Sequence, residues 1–203
     1  MKKRYGFFGG SFNPVTGAHI NLASKILSEY RLDKVIFVPM GNSYQKQDLI
    51  DEKHRYHMLD MAISGYEKLK VSDIELGLSN QLTMLQAFEK IQKEYKDSEN
   101  YFIIGSDNLD KLIKLQDLEI LAKNYHYIVI EREKYTARSK ISLNPILTRF
   151  KTHFNLLEDN PYEQISSTEV RNLLKDNQEE KILKMIPKEV YEYIKENELY
   201  ISK

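Results

Sequence analysis

The chain of 203 residues has no cysteine and no tryptophan, and only 8 glycines and 5 prolines. Without cysteine there is no disulfide framework and no thiolate metal site, so a packed core must hold the fold. No apolar run approaches the ~18–20 residues of a membrane span. Charge of one sign is not in excess either, since Lys+Arg and Asp+Glu each total 30. A general nucleic-acid binder carries a positive surplus, so neither nucleic acid nor membrane is expected as a partner, although a local basic patch is allowed. The basic start Met1-Lys2-Lys3-Arg4 is followed by an apolar stretch too brief and too glycine-interrupted for a secretion signal. The expectation is a soluble, cytoplasmic protein.

Short apolar runs alternate with helical patterns along the chain. Strands are expected at Tyr5–Phe8, Lys34–Val38, Lys70–Leu76, Tyr101–Ile104, His126–Glu131 and His153–Leu157. Amphipathic helices are expected at Ile20–Tyr30, Asp51–Ser64 and Leu82–Tyr95, with a helical region from Gly105 to about Lys123. The polar stretch Glu133–Pro145 reads as a loop, and the chain is helical from Thr168, with Leu199–Lys203 as a docked tail. Strands separated by helices predict an α/β fold, a Rossmann-like parallel sheet with helices on both faces. No linker or repeat divides the chain. A single domain over 1–203 is expected, with 160–203 as a small C-terminal helical region.

Ligands of such sheets sit beyond the carboxyl ends of the strands. The unusual stretches of this sequence fall at those ends. Gly9-Gly10-Ser11-Phe12-Asn13-Pro14-Val15-Thr16-Gly17-Ala18-His19 follows the first strand. Two glycines let a backbone approach a polyanion, and a helix start offers free N–H groups and a positive dipole end. Thr16 and His19, three apart, share one face of the first helical turn. Pro39–Lys46 follows the second strand and Gly105-Ser106-Asp107 the fourth. Near the other end, Ser166 and Glu169 have the spacing of a capping box. The helix start Ser166-Ser167-Thr168 with Arg171 would make a second anion site. The Gly-x-Gly-x-x-Gly of nicotinamide dehydrogenases and the Gly-Lys-Ser/Thr of kinase-type phosphate loops are both missing.

Taken in order, Gly-Ser-Phe-Asn-Pro-x-Thr-x-x-His and Ile-Ser-Ser-Thr-x-x-Arg resemble the nicotinamide/nicotinate mononucleotide adenylyltransferases of the nucleotidyltransferase superfamily. Pro39-Met40-Gly41 with Tyr44 and Lys46, then His54-Arg55, Gly105-Ser106-Asp107 and Pro187–Tyr200 extend the resemblance over nearly the whole chain. It implies transfer of AMP from ATP to nicotinate or nicotinamide mononucleotide, with pyrophosphate released, in NAD synthesis. In-line attack by the mononucleotide phosphate needs no enzyme nucleophile, only positioning and charge neutralisation. By resemblance, His19, Lys46 and Arg171 carry the catalysis. Gly9, Gly10, Ser11, Phe12, Thr16, His19, Lys46, Gly105, Asp107, Ser167, Thr168 and Arg171 bind ATP and its phosphates. Ser11, Phe12, Tyr44, Lys46, Thr83 and Asp107 face the mononucleotide. His19 would hydrogen-bond the α-phosphate, more strongly if protonated. Mg²⁺ is expected with ATP, held by phosphate and water rather than by a protein cage.

The sequence departs from the family in three places. Thr16 and Ala18 stand where many bacterial nicotinate-preferring members have histidine and glycine, and the tryptophan of the substrate pocket is absent, leaving a tyrosine or phenylalanine to stack on the base. His54-Arg55 could touch phosphate, while His54 with His57 lacks a third metal ligand, so surface or capping roles are favoured for the pair. His126 and His153 read as structural. A pantetheine-phosphate adenylyltransferase, a cytidylyltransferase and a non-catalytic nucleotide-binding module remain as rivals. The choice between nicotinate and nicotinamide stays open, and a homo-oligomer is allowed.

Overall fold

The computed structural model describes residues 2–44, 48–131, 136–159, 161 and 165–200. Six strands form one parallel sheet in the order β3-β2-β1-β4-β5-β6. They are β1 (Lys3–Gly10), β2 (Lys34–Pro39), β3 (Leu69–Val71), β4 (Ser98–Gly105), β5 (His126–Ile130) and β6 (Phe154–Leu157). The strands read as continuous apolar runs because both faces of the sheet are covered. Successive residues point to opposite faces. Phe8, Phe37, Ile103 and Ile128 therefore enter one core, and Phe7, Ile36, Phe102 and Tyr127 the other.

The helices divide between these cores. On the first face lie α1 (Gly17–Glu29) and α2 (Glu52–Ala62), contributing Ile26, Met58 and Leu59. On the second lie α3 (Met84–Glu94), α4 (Ser106–Ile113), α5 (Leu118–Asn124), α6 (Thr136–Leu143) and α7 (Pro145–Arg149). The C-terminal helices α8 (Ser167–Lys175), α9 (Glu179–Ile182) and α10 (Lys188–Glu196) return to the first face through Val170, Leu174, Ile182, Val190 and Ile194. Leu199 and Tyr200 of the expected tail pack against that same core. Among the described residues no helix is long and apolar enough to cross a membrane.

Two expectations are corrected. The stretch expected as a loop over Glu133–Pro145 contains α6. Its few apolar residues, Ala137 and Ile141, are four apart, so one buried stripe is enough to dock it. The Glu131 carboxylate accepts the Ala137 N–H, and Lys140 reaches Asp110 and the Ser106 carbonyl across the surface. The third strand, expected to run to Leu76, stops at Val71. Its partner β2 ends in Pro39, which has no N–H to offer. The Ser72 hydroxyl then accepts the Ile74 N–H, and the Leu76 N–H turns back to Asp73. The helical region after β4 is also broken into α4 and α5.

The sheet order reverses between β1 and β4, which is where ligands bind in open parallel sheets. The glycine stretch and Gly105-Ser106-Asp107 leave the carboxyl ends of those two strands. The second core is built around aromatic stacking, with the Phe88 and Phe102 rings 3.5 Å apart and Tyr125 edge-on to both. Phe88→Ala is expected to cost about 3–5 kcal/mol of unfolding free energy, read by urea denaturation. A loss below about 1 kcal/mol would contradict the packing described.

Candidate active site

The turn after β1 is built by close packing. A Cβ on Gly10 would lie 2.9 Å from the Phe12 ring. Phe12 adopts φ 45° and turns its ring inward against Phe8, Phe37 and His19. The residue as a whole is 2% exposed. Gly9 is exposed, and a Cβ there would meet nothing within 4 Å. The Gly10 carbonyl accepts the Met40 N–H, which ties the turn to the end of β2.

Thr16 is the N-cap of α1 and is 0% exposed. Its N–H donates to His19 Nδ1 at 3.0 Å, and its hydroxyl lies 2.7 Å from the same nitrogen. A peptide N–H only donates, so Nδ1 must offer its lone pair, and the neutral ring then carries its proton on Nε2. His19 is thus set as a neutral donor, and a second proton on Nδ1 would oppose the Thr16 N–H. Thr16 thereby orients the His19 ring.

Asn13 joins the surrounding segments. Its Nδ2 donates to the Asp48 carbonyl at 2.7 Å, and its Oδ1 accepts the Ile50 N–H and the Tyr200 hydroxyl. Its main-chain carbonyl accepts from Arg171 Nη1 at 2.9 Å. The Asn13-Pro14 bond is cis. Ser167 donates its hydroxyl to the Pro14 carbonyl at 2.8 Å, while Thr168 Oγ1 lies 3.4 Å from Arg171 Nη2. Ser166 caps α8 by accepting the Glu169 N–H. Burial pushes the Tyr200 phenol up, and Arg171 and Arg55 oppose this, so the neutral hydroxyl is the form that donates to Asn13.

The loops after β2 and β3 are clamped by Glu52, buried at the start of α2. One carboxylate oxygen accepts the Asn42 N–H and the other the Gly77 N–H at 2.7 Å. Gly41 is needed there, since a Cβ would lie 2.3 Å from the Glu75 carbonyl oxygen. Tyr44 bonds Glu75 and lies 3.5 Å from the Leu82 carbonyl, beside Thr83. Burial pushes both the Tyr44 phenol and the Glu75 carboxyl up, while the Tyr44 bond and Lys90 pull Glu75 back down. Thr83 is exposed and caps α3 through the Gln86 N–H.

The turn after β1 therefore carries His19, whose ring packs on Phe12 and whose Nδ1 meets Thr16, and it is held from α8 by Arg171 on the Asn13 carbonyl and Ser167 on the Pro14 carbonyl, with Thr168 beside Arg171. Tyr44 and Thr83 form a second group on the β2–β3 side. Gly105 and Asp107 lie on the opposite side of β1, where Asp107 is exposed in the first turn of α4. Lys46 lies outside the described residues. His54 and His57, expected in surface or capping roles rather than as metal ligands, pack on Tyr193: His54 Nδ1 meets its hydroxyl at 2.8 Å and the His57 ring lies against its ring. His126 and His153 adjoin each other at the strand starts, with ring centroids 4.6 Å apart. Sequence reasoning passed over the side chains of Asn13, Glu52 and Tyr200. It named Arg55 without its place, although 55, 58, 59 and 62 follow one helical stripe whose other members, Met58, Leu59 and Ala62, are core.

A phosphate-suited loop at the switch point of a parallel sheet defines a nucleotide-binding α/β protein, and relatives make this specific. A model of the cytidylyltransferase-like family matches residues 7–173. The probable nicotinate-nucleotide adenylyltransferase of Caldicellulosiruptor bescii is 33% identical over 97% of this chain and 98% of its own length. That of Clostridium acetobutylicum is 31% identical over 99% and 100%. The chain belongs to the cytidylyltransferase-like family and, within it, to the nicotinate-nucleotide adenylyltransferases. The fold is also that of the Plasmodium falciparum nicotinic acid mononucleotide adenylyltransferase complexed with NaAD. The TM-score is 0.79 at 23% identity, over 98% of this chain and 97% of that one. The same enzyme complexed with APC gives a TM-score of 0.77.

Tyr200→Phe removes one hydroxyl and leaves Asn13 Oδ1 its bond to Ile50. The expected loss is about 1 kcal/mol, or about 2–4 °C in melting temperature by calorimetry. An unchanged melting temperature would show that the tail does not brace Asn13.

Proposed function

We propose that this protein transfers AMP from ATP to a pyridine mononucleotide, with nicotinate mononucleotide as the preferred acceptor, and releases pyrophosphate. The observation that carries this reading is that His19, packed on Phe12, and Arg171, bonded to the Asn13 carbonyl, both attach to the glycine turn at the end of β1. Support for the acceptor comes from the whole-length relatives, which bear the nicotinate name, and from the Plasmodium enzyme solved with NaAD. The neutral charge balance of the chain suits a small-molecule substrate better than a nucleic acid.

The chemistry is positioning and charge neutralisation. The mononucleotide phosphate oxygen attacks the α-phosphorus of ATP in line. The bond from the α-phosphorus to the bridging oxygen breaks, and pyrophosphate leaves with that electron pair. His19 donates Nε2–H to an α-phosphate oxygen whose charge grows as the bonds rearrange. Arg171 bonds the pyrophosphate end through the guanidinium donors that its contacts to Asn13 and Thr168 leave. Backbone N–H groups of the Gly10–Phe12 turn hold phosphate, and exposed Gly9 leaves room for the nucleotide to lie against the strand end. Thr16 acts through His19 rather than on the substrate. Tyr44 and Thr83 border the mononucleotide, Asp107 meets ribose hydroxyls, and Ser167 and Thr168 complete the phosphate face. Lys46 adds a point charge to the phosphates.

The donor set of the turn is imidazole, hydroxyls, guanidinium and peptide N–H. These fit phosphate oxygens rather than a divalent cation, so Mg²⁺ fits as a passenger on the triphosphate, where it neutralises charge. The chain acts as one catalytic domain, with the C-terminal helices supplying Arg171. Small soluble nucleotide substrates support a cytoplasmic location for it.

Pyrophosphate release with ATP, Mg²⁺ and either pyridine mononucleotide is the direct test. Turnover is expected with nicotinate mononucleotide and more slowly with nicotinamide mononucleotide. Turnover on phosphopantetheine alone, or on none of them, would remove the reading. His19→Ala should lower kcat by about 10²–10³-fold, the usual cost of one oxyanion donor. Its ATP affinity should stay within a few-fold of wild type, and turnover at the wild-type rate would end the role given to His19.

A further inference from the structure

A full positive charge lies buried beneath the phosphate turn. Arg55, from α2, is 0% exposed. Its Nε donates to the Ile50 carbonyl at 2.9 Å and its Nη1 to the Ser11 carbonyl at 3.0 Å. Its Nη2 is sealed from solvent and has no partner among the described residues. Glu52 and Asp51 attract it from a distance. Both Glu52 oxygens already hold the N–H groups of Asn42 and Gly77, and Asp51 holds the Lys53 N–H and the Asn42 amide. Burial pushes the guanidinium down from its ordinary value, while Tyr200, Glu52 and Asp51 hold it up.

Such a group is costly. A buried cation without a hydrogen-bonded counter-ion loses its hydration and regains only part of it from carbonyls. An apolar side chain would fill the same space with less penalty, so packing alone does not account for an arginine here. Its bonds point to the reason. The Ser11 carbonyl is aimed at Arg55. The peptide joining Ser11 to Phe12 is trans, because the cis bond of this turn is Asn13-Pro14. In a trans peptide the carbonyl and the following N–H point in opposite directions. The Phe12 N–H is therefore directed away from Arg55. A cationic donor on the carbonyl also polarises that peptide and strengthens its N–H as a donor.

We propose that Arg55 is a positioning residue for a polyphosphate ligand. It fixes the Ser11–Phe12 peptide so that the Phe12 N–H meets the anion, and its unmatched charge offsets the repulsion among the gathered phosphates. The inference rests on the adenylyltransferase reading for the ligand, a nucleoside triphosphate.

The test compares full-length wild type with Arg55→Gln and Arg55→Lys. ATP affinity is measured calorimetrically with Mg²⁺, alongside kcat and KM. Both variants lose the fork onto Ser11 and Ile50, so both melt lower than wild type, and melting does not discriminate. Arg55→Gln is expected to weaken ATP binding by about tenfold and Arg55→Lys by about threefold, since lysine restores the charge but not the fork. KM for ATP should follow these changes, with a smaller fall in kcat. Affinity of Arg55→Gln within twofold of wild type, despite a lower melting temperature, would make Arg55 a fold brace and overturn the inference. If Arg55→Gln proves insoluble, Arg55→Lys decides by the same criterion. Wild-type ATP binding without turnover on any pyridine mononucleotide would remove the proposed function instead, and the Arg55 comparison would still be read from ATP affinity.

Discussion

The side chain and carbonyl of Asn13 are the joint on which the site depends. Four segments far apart in the chain meet there: the turn after β1, the stretch Asp48–Ile50, Arg171 of α8 and Tyr200 of the tail. The donors and acceptors match one for one. The amide nitrogen gives to a carbonyl, the amide oxygen takes an N–H and a phenol, and the main-chain oxygen takes a guanidinium. A buried amide in low dielectric is stable only when so matched. The arrangement fixes where Arg171 stands relative to His19, which no local feature of α8 could do.

The site concentrates positive character in a molecule without net charge. The contributions differ in kind. Peptide N–H groups of the turn and the helix start act as fixed dipoles. His19 is held as a neutral donor by the Thr16 N–H. Arg171 is half-buried and already directed by two bonds, and Arg55 is wholly interior. Dipoles and held charges need no reorganisation when phosphates arrive, which is the condition for electrostatic stabilisation of a transferring group. The loops after β2 and β3 are held together by a carboxylate, since Glu52 accepts the N–H groups of Asn42 and Gly77.

Much of this was legible in the chain. Apolar runs alternating with helical stripes implied a parallel sheet, and six strands are present near the expected places. The glycine turn, the Thr16–His19 pair and the Ser166 cap were readable because each depends on residues within three positions of one another. Elements with weak local signals were missed. α6 has two inward apolar residues and is held by Glu131 and by Lys140 reaching Asp110 and Ser106, contacts that a polar sequence window does not display. β3 was read too long because its end is set by Pro39 of its neighbour.

The sequence by itself determined the parallel sheet, the strongly amphipathic helices and the glycine turn after β1, because periodicity, capping and backbone freedom act over a few residues. Tertiary structure alone decided which partners the polar groups take. It set Thr16 against His19 within the turn, took His54 to Tyr193, and brought Tyr200 to Asn13 across 187 positions. It also placed Arg55 under the turn. The physical reason is that a hydrogen bond is indifferent to separation along the chain. Its partner is chosen by the packing that brings two segments within 3 Å or so, and packing is a property of the whole core.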